Sequence, residues 1–325
     1  MIQTKKIQSG VINVYKEKGF TSHDVVAIVR KLFSNSGEYG KNLKVGHTGT
    51  LDPNAEGVLP ICIGRATKIA GLLTADDKSY RAELCLGFVT DTGDITGNKL
   101  FTENQENQIY QNAISPSTLD PHVIQEAINS FIGTYEQIPP MYSAIRVEGK
   151  RLYELAREGK TIERKPRKVH IFGISIVPES DSRLWLDVDC SKGTYIRSLC
   201  VDIGEKLGIG GCMGDLIRTR SGSFYVKDAI RLDDLKRYAQ DMLLSNVLIP
   251  MEVALPVPKA VLLPNAIFKS VVNGHAVPIK QVYCEQDIEE GNFFWLYDSK
   301  ADELIGLYSV YKGMLKLEVL VYANH

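Results

Sequence analysis

Residues Gly46 to Pro60, reading GHTGTLDPNAEGVLP, set one acid at the tip of a loop punctuated by glycines and prolines. Gly46, Gly49 and Pro53 stop a helix or a ladder from running through it, so Asp52 is predicted on a turn. An apolar strand is predicted to follow, over Val58 to Ile63. A carboxylate held in this way is a candidate nucleophile or general base, although an Asp-Pro pair taken alone is more often an ordinary turn.

The 325 residues are enough for two domains, or for one large and one small. With 24% charged and 44% hydrophobic residues the composition is that of a globular enzyme. No apolar run reaches membrane-spanning length, and Met1 to Lys6 leads into polar sequence, so a cytoplasmic protein is expected. The six cysteines never form a C-x-x-C pair and most sit in apolar runs, which suggests buried, reduced thiols. His47, Asp52 and Glu56 lack ligand spacing and no P-loop is present, so neither a metal site nor a phosphotransferase is expected.

The pattern along the chain is mixed α/β. Thr21 and Asp24 read as a capping box for a helix that buries Val25, Ile28, Val29, Leu32 and Phe33. Ser79 to Leu86 alternates as a strand, with Tyr80, Ala82, Leu84 and Leu86 on one face. Thr102 to Asp120 reads as a polar loop, and a helix from Pro121 is expected to bury Ile124, Ala127, Ile128, Phe131 and Ile132 and to stop at Gly133. Within Arg183 to Leu207, Leu184 to Cys190 alternates, Ser191-Lys192-Gly193 turns, and a helix runs to Gly208. Ile249 to Pro258 reads as a linker. Beyond it the pattern becomes all-β, with strands at Phe293 to Tyr297 and a hairpin joining Leu304–Tyr311 to Met314–Val321 through Lys312-Gly313.

Net charge is −1, so an RNA site must come from local clustering. Arg146 to Lys168 holds nine bases against four acids, a pattern equally suited to a solvated helix face and to a phosphate track. Arg197 falls in the first turn of a helix, where a cation opposes the macrodipole unless an anion, carboxylate or phosphate, lies beside it.

The run GHTGTLDPNAEGVLPICIGRATK closely resembles the catalytic loop of the pseudouridine synthases that act on the T arm of tRNA, the bacterial tRNA pseudouridine synthase B type. Further ordered blocks carry the same resemblance: Gly10 to Ser22, Lys78-Ser79-Tyr80-Arg81, Thr90 to Asp94, Ile138 to Ala144 with Gly149 to Arg157, CSKGTYIRSL around Arg197, and a late loop at Leu216 to Gly222. One position departs from the family: Glu17 stands where a Pro follows the equivalent of Lys16, leaving that turn less pre-set.

The resemblance implies Asp52 as nucleophile, Arg197 as its ion-pair partner and Tyr80 as the residue stacked on the target base and serving proton transfer. It further implies that His47, Tyr195, Leu216 and Lys16 contact the substrate, His47 by filling the space of the flipped base or touching its phosphate. The implied fold is an α/β (α+β) catalytic domain at 1–250, with a mixed, mostly antiparallel sheet and a central cleft. A small all-β, PUA-like RNA-binding domain is implied at 257–325. The implied reaction isomerises uridine 55 of the tRNA T-arm stem-loop to pseudouridine after base flipping. It needs no cofactor, no membrane and no obligatory protein partner, and a monomer is expected. Two other readings stand beside this one: a nucleoside or glycoside hydrolase using Asp52 and Glu56 as a carboxylate pair ~5 Å apart, and an RNA-binding or remodelling protein without catalysis.

Overall fold

The computed structural model describes residues 9–37, 39–100, 119–143, 145–147, 149–177, 184–264, 268–300 and 303–322. Most of the loop expected at Thr102 to Asp120, together with Ala144 and Arg183, lies outside them.

The larger sheet is built from β1 (Gly10–Lys16), β2 (Val45–His47), β3 (Glu56–Ile63), β4 (Lys78–Leu86) and β5 (Gly133–Gln137). The two short strands β6 (Arg146–Val147) and β7 (Lys150–Arg151) form a separate hairpin. The large sheet continues with β8 (Arg167–Val177), β9 (Leu184–Cys190), β10 (Gly211–Ser221), β11 (Phe224–Tyr225) and β12 (Ile230–Arg231). Its order is β12-β1-β3-β10-β4-β9-β8-β5, with β2 on β3 and β11 on β10. Only β1–β12 and β3–β10 pair in parallel, so the sheet is mixed and mostly antiparallel.

Helices α1 (Ser22–Asn35), α2 (Ala70–Thr74), α3 (Pro121–Asn129), α4 (Leu152–Arg157), α5 (Ile196–Lys206) and α6 (Leu232–Gln240) accompany it. The capping box at Thr21 and Asp24 forms, and α1 buries Val25, Val26, Val29 and Phe33 against the sheet. Asp120 caps α3 as its position before Pro121 predicts, but the helix ends at Asn129. Ile132 is therefore exposed and does not pack with Ile128, because the chain turns at Ser130 to enter β5.

The late block at Leu216 to Gly222 is a strand end and not a loop. It lies in β10, at the centre of the sheet between β3 and β4. Its extra residues are absorbed as irregularities between Met213 and Leu216 and between Arg218 and Arg220.

The second sheet, order β14-β18-β17-β16-β13-β15, comprises β13 (Lys259–Leu262), β14 (Val277–Pro278), β15 (Val282–Cys284), β16 (Phe293–Tyr297), β17 (Leu304–Tyr311) and β18 (Met314–Leu320). Lys312 and Gly313 turn the β17–β18 hairpin, both with positive φ. The C-terminal part is not purely β, since α8 (Phe268–Val272) packs Val271 and Val272 into it.

The stretch Ile249 to Pro258 does not behave as an open linker. Val11 and Ile249 exchange backbone hydrogen bonds of 2.9 and 2.8 Å, and α7 (Met251–Ala254) buries Met251 and Ala254. One apolar cluster then runs across both sheets, joining Val11, Val58, Cys62 and Leu73 to Leu255, Trp295, Leu307 and Val319. The Trp295 indole N–H donates to the Leu255 carbonyl at 2.8 Å, so the burial of this ring leaves no unpaired polar atom.

Because this cluster is shared, Trp295→Ala is expected to cost about 3–5 kcal/mol of unfolding free energy in urea. It should also speed hydrogen exchange at Val11 and Val58 in the large sheet. Exchange accelerated only in the second sheet would show that the two parts are stabilised separately.

Candidate active site

The Asp52 loop leaves β2 at His47 and returns at Glu56. Its carbonyls turn inward onto two buried cations. Lys16, fully buried at the end of β1, donates to the carbonyls of Ala55 at 2.6 Å, Pro53 at 3.1 Å and Glu17 at 3.2 Å. Burial pulls the Lys16 pKa down to about 8, against the opposing pull of Asp52 and Glu56. Arg218 in β10, 2% exposed, donates from Nε to Val58 O at 2.7 Å and from Nη2 to Gly49 O at 3.2 Å. Ser22, the first residue of α1, accepts from Leu51 N at 2.8 Å and donates to Leu51 O at 3.1 Å. Gly57, at φ +102°, lies so close to β10 that a Cβ there would stand 2.3 Å from Arg218 O.

This backing leaves the Asp52 carboxylate as the outward-facing group of the loop, 44% exposed. Opposite it stands Arg197, 6% exposed, at the start of α5. Arg197 Nη2 lies 3.0 Å from Asp52 Oδ2, and Nη1 lies 3.8 Å from Asp94 Oδ2. The same guanidinium donates to Tyr142 O at 2.6 Å and Thr92 O at 3.3 Å. Two carboxylates and two carbonyls thus compensate a cation that the helix dipole disfavours. The helix start is itself held by fully buried Gln137, whose Oε1 accepts from Tyr195 N at 2.8 Å and whose Nε2 donates to Tyr195 O at 3.0 Å.

Tyr80 lies on β4 directly across from Arg218. Burial raises the Tyr80 pKa, and Arg218 opposes that rise. His47 accepts from Gly49 N at its Nδ1, 3.2 Å away, which puts the proton of the neutral ring on Nε2. Its burial, with Arg218 nearby, lowers its pKa and favours that neutral form. Leu216 is buried on β10 opposite Ala82. Tyr195 precedes α5 and carries Arg167 over its ring at 4.9 Å. The sheet and α5 therefore bring Arg197 against Asp52 and set Tyr80 across from Arg218, with Leu216 buried two residues earlier on the same strand. Lys16 lies beneath the loop and presents no surface to a substrate.

Sequence reasoning did not single out Arg218, Asp94 or Gln137. Nothing local marks Arg218 out, since Asp215, Thr219 and Arg220 stand beside it in the same strand. The basic segment after Arg146 forms the β6–β7 hairpin and α4, beside the loop that supplies Tyr142 O; Lys150 and Lys160 there pair with Glu158. Asp52 is paired with Arg197, and Glu56 opens β3 on the far side of the loop. Among the described residues no group of three or more His, Cys, Asp or Glu is placed to hold a metal ion.

The model for the N-terminal domain of TruB family pseudouridylate synthases matches residues 37–196, and that for the C-terminal domain of tRNA pseudouridylate synthase B matches residues 197–256. The tRNA pseudouridine synthase B of Alkaliphilus oremlandii is 47% identical over 269 residues, 83% of each chain. That of Clostridium perfringens is 42% identical over 314 residues, 96% of this chain and 99% of its own. Among solved structures, a chain of an H/ACA ribonucleoprotein bound to a substrate RNA containing 2′-deoxyuridine superposes with a TM-score of 0.69 at 25% identity, covering 98% of this chain and 86% of that one. A chain of a Cbf5-Nop10-Gar1 complex gives 0.69 at 28% identity, over 98% and 85%. With relatives this similar along nearly its whole length, the chain belongs to the TruB family of pseudouridylate synthases.

Proposed function

We propose that this chain isomerises the uridine numbered 55 in the T loop of tRNA to pseudouridine, acting as a cytoplasmic monomer with Asp52 as nucleophile. The observation that carries this reading is the half-exposed Asp52 carboxylate, on a loop backed by buried cations and held 3.0 Å from Arg197. Isomerisation breaks the N1–C1′ bond, turns the uracil and rejoins it through C5, moving one proton from C5 to N1. No group is lost and no electron changes hands, so the chain's own side chains suffice for the chemistry.

Flipping takes the base out of its stack, at a cost of a few kcal/mol. Stacking on the Tyr80 ring returns ~1–3 kcal/mol. Leu216 and Tyr195 complete the apolar lining that keeps water from the reacting fragment. Asp52 holds that fragment while the uracil turns. Arg197 aims the carboxylate, and Arg218 eases negative charge on the Tyr80 oxygen as the C5 proton departs. We assign chemistry to residues 1–250 and added RNA grip to a PUA-like unit at 257–325. Incubation with unmodified tRNA transcript, followed by mapping of pseudouridine, tests the reaction and its position directly; release of free uracil would instead indicate a hydrolase.

Asp52→Asn is expected to fold and to bind tRNA as tightly as the parent, while losing more than about 1,000-fold in single-turnover rate. Retained turnover would remove Asp52 as nucleophile. Arg197→Met should cost about 100- to 1,000-fold in the same rate with little change in tRNA affinity. A loss confined to affinity would make Arg197 a phosphate contact instead.

Lys16 allows a test in pH. Its folded pKa of about 8 lies below the ordinary 10.5, so between these values the unfolded chain binds more protons and stability rises with pH. The unfolding free energy of the parent, measured against Lys16→Met, should accordingly grow from pH 8 to pH 10. A flat or shrinking difference would mean that the ammonium stays charged on its carbonyls throughout.

A further inference from the structure

We propose that a band of exposed cations at the far end of β3 grips the phosphate backbone of the double-helical part of the RNA substrate, away from the reacting base. This deepens the tRNA reading and rests on it. β3 leaves the Asp52 loop at Glu56 and ends at Ile63, a run of about 23 Å at 3.3 Å per residue. There Gly64 N donates to Lys44 O at 2.8 Å, and the single 3₁₀ turn Gly64–Lys68 follows. Lys44, Arg65 and Lys68 are thereby collected at the end of the sheet opposite the nucleophile.

Two concavities meet at Lys68. One, of about 470 Å³, is lined by Tyr39, Asn42, Lys44, Arg65, Thr67 and Lys68 among others, and among the described residues it includes no acid. The other, of about 520 Å³, lies on the seam with the second sheet and includes Lys316, Tyr311 and Glu318. Glu318 accepts from the Ser309 hydroxyl at 2.6 Å, so the acid on this seam already has a hydrogen-bond donor of its own.

Elsewhere on the surface Lys18, Lys150, Lys160 and Lys236 each have a carboxylate within 3.4 Å. Among the described residues no acid pairs with Lys44, Arg65, Lys68 or Lys316, in a chain whose net charge is −1. The walls cannot drift apart, because Ala66, Ile69 and Leu73 beneath one concavity pack in the same cluster as Trp295, Leu307 and Val319 beneath the other. Arg65 adds a bond across the seam, donating to Val321 O.

Spaced point charges with hydroxyl and amide donors between them suit a row of phosphates. Duplex RNA is read in this way, through backbone and shape, because its deep major groove admits no side chain. A protein partner would call for a central apolar or aromatic anchor in a dry pocket, and the first concavity offers cations and small polar groups instead.

The test is the full chain carrying Lys44→Gln, Lys68→Gln and Lys316→Gln together, with Lys236→Gln as the charge control. Binding of unmodified tRNA transcript and of an isolated T-arm hairpin is measured over a range of salt, and pseudouridine formation at saturating enzyme. With full-length tRNA the triple variant should bind at least tenfold more weakly, and its log K against log salt slope should fall by about 2 to 3, near 0.7–0.9 per lost phosphate. Hairpin binding, the saturated rate and the control should stay within twofold. An unchanged slope with full-length tRNA, an equal loss on the hairpin, or a collapsed saturated rate would each overturn the proposal. If the triple variant does not fold, Lys44→Gln and Lys316→Gln singly should each lower the slope by about 1. A parent chain that binds tRNA but forms no pseudouridine would sink the functional reading and leave the band's own result standing.

Discussion

The structure depends on a loop whose backbone faces inward onto charge. Lys16 and Arg218 are both buried, and each is compensated by carbonyls of the Asp52 loop instead of by a carboxylate. Burying a cation without a counter-ion is expensive, so these bonds must all form together or the site loosens as a whole. The consequence reaches the surface. With its carbonyls held below, the loop has one acid left to present, and Arg197 meets it from a helix that belongs to a different part of the chain.

That division explains what could be read beforehand. The turn at Asp52, the capping box at Thr21, the alternation of β4 and the helix start before Arg197 are local patterns, each written in a few adjacent residues, and each is present in the structure. The awkwardness of Arg197 was also legible, since a cation at a helix start announces a missing anion. Arg218 and Gln137 were not, because their partners lie 160 and 58 residues away in sequence. Ile249 to Pro258 misled for a related reason: its prolines describe the local chain, while its burial is decided by Val11 and Trp295 at the two ends of the molecule. Leu216 to Gly222 reads as a loop from its resemblance to the family's late block, whereas Leu216 to Ser221 are the bulged end of β10.

The two sheets are separate ladders but not separate bodies. A cluster that takes residues from β1, β3, α7, β16, β17 and β18 makes the position of the second sheet a property of the first. An RNA that touched both would meet a surface set in advance and would not have to order a tail as it bound.

The irregularity at Thr219 has its own consequence. Arg218 stands across from Tyr80, while Arg220, two residues on, stands across from Ser79 and donates to its hydroxyl at 2.8 Å. In a regular strand these two arginines would share a face. The inserted residue sends one beneath the Asp52 loop and the other to the opposite side, where it also lies 3.6 Å from Asp189. Deleting Thr219 would make the two arginines adjacent in a regular strand, which still places them on opposite faces, Arg218 across from Tyr80 and Arg220 across from Ser79. A one-residue bulge in a central strand thus lets arginines two positions apart serve opposite faces of one sheet.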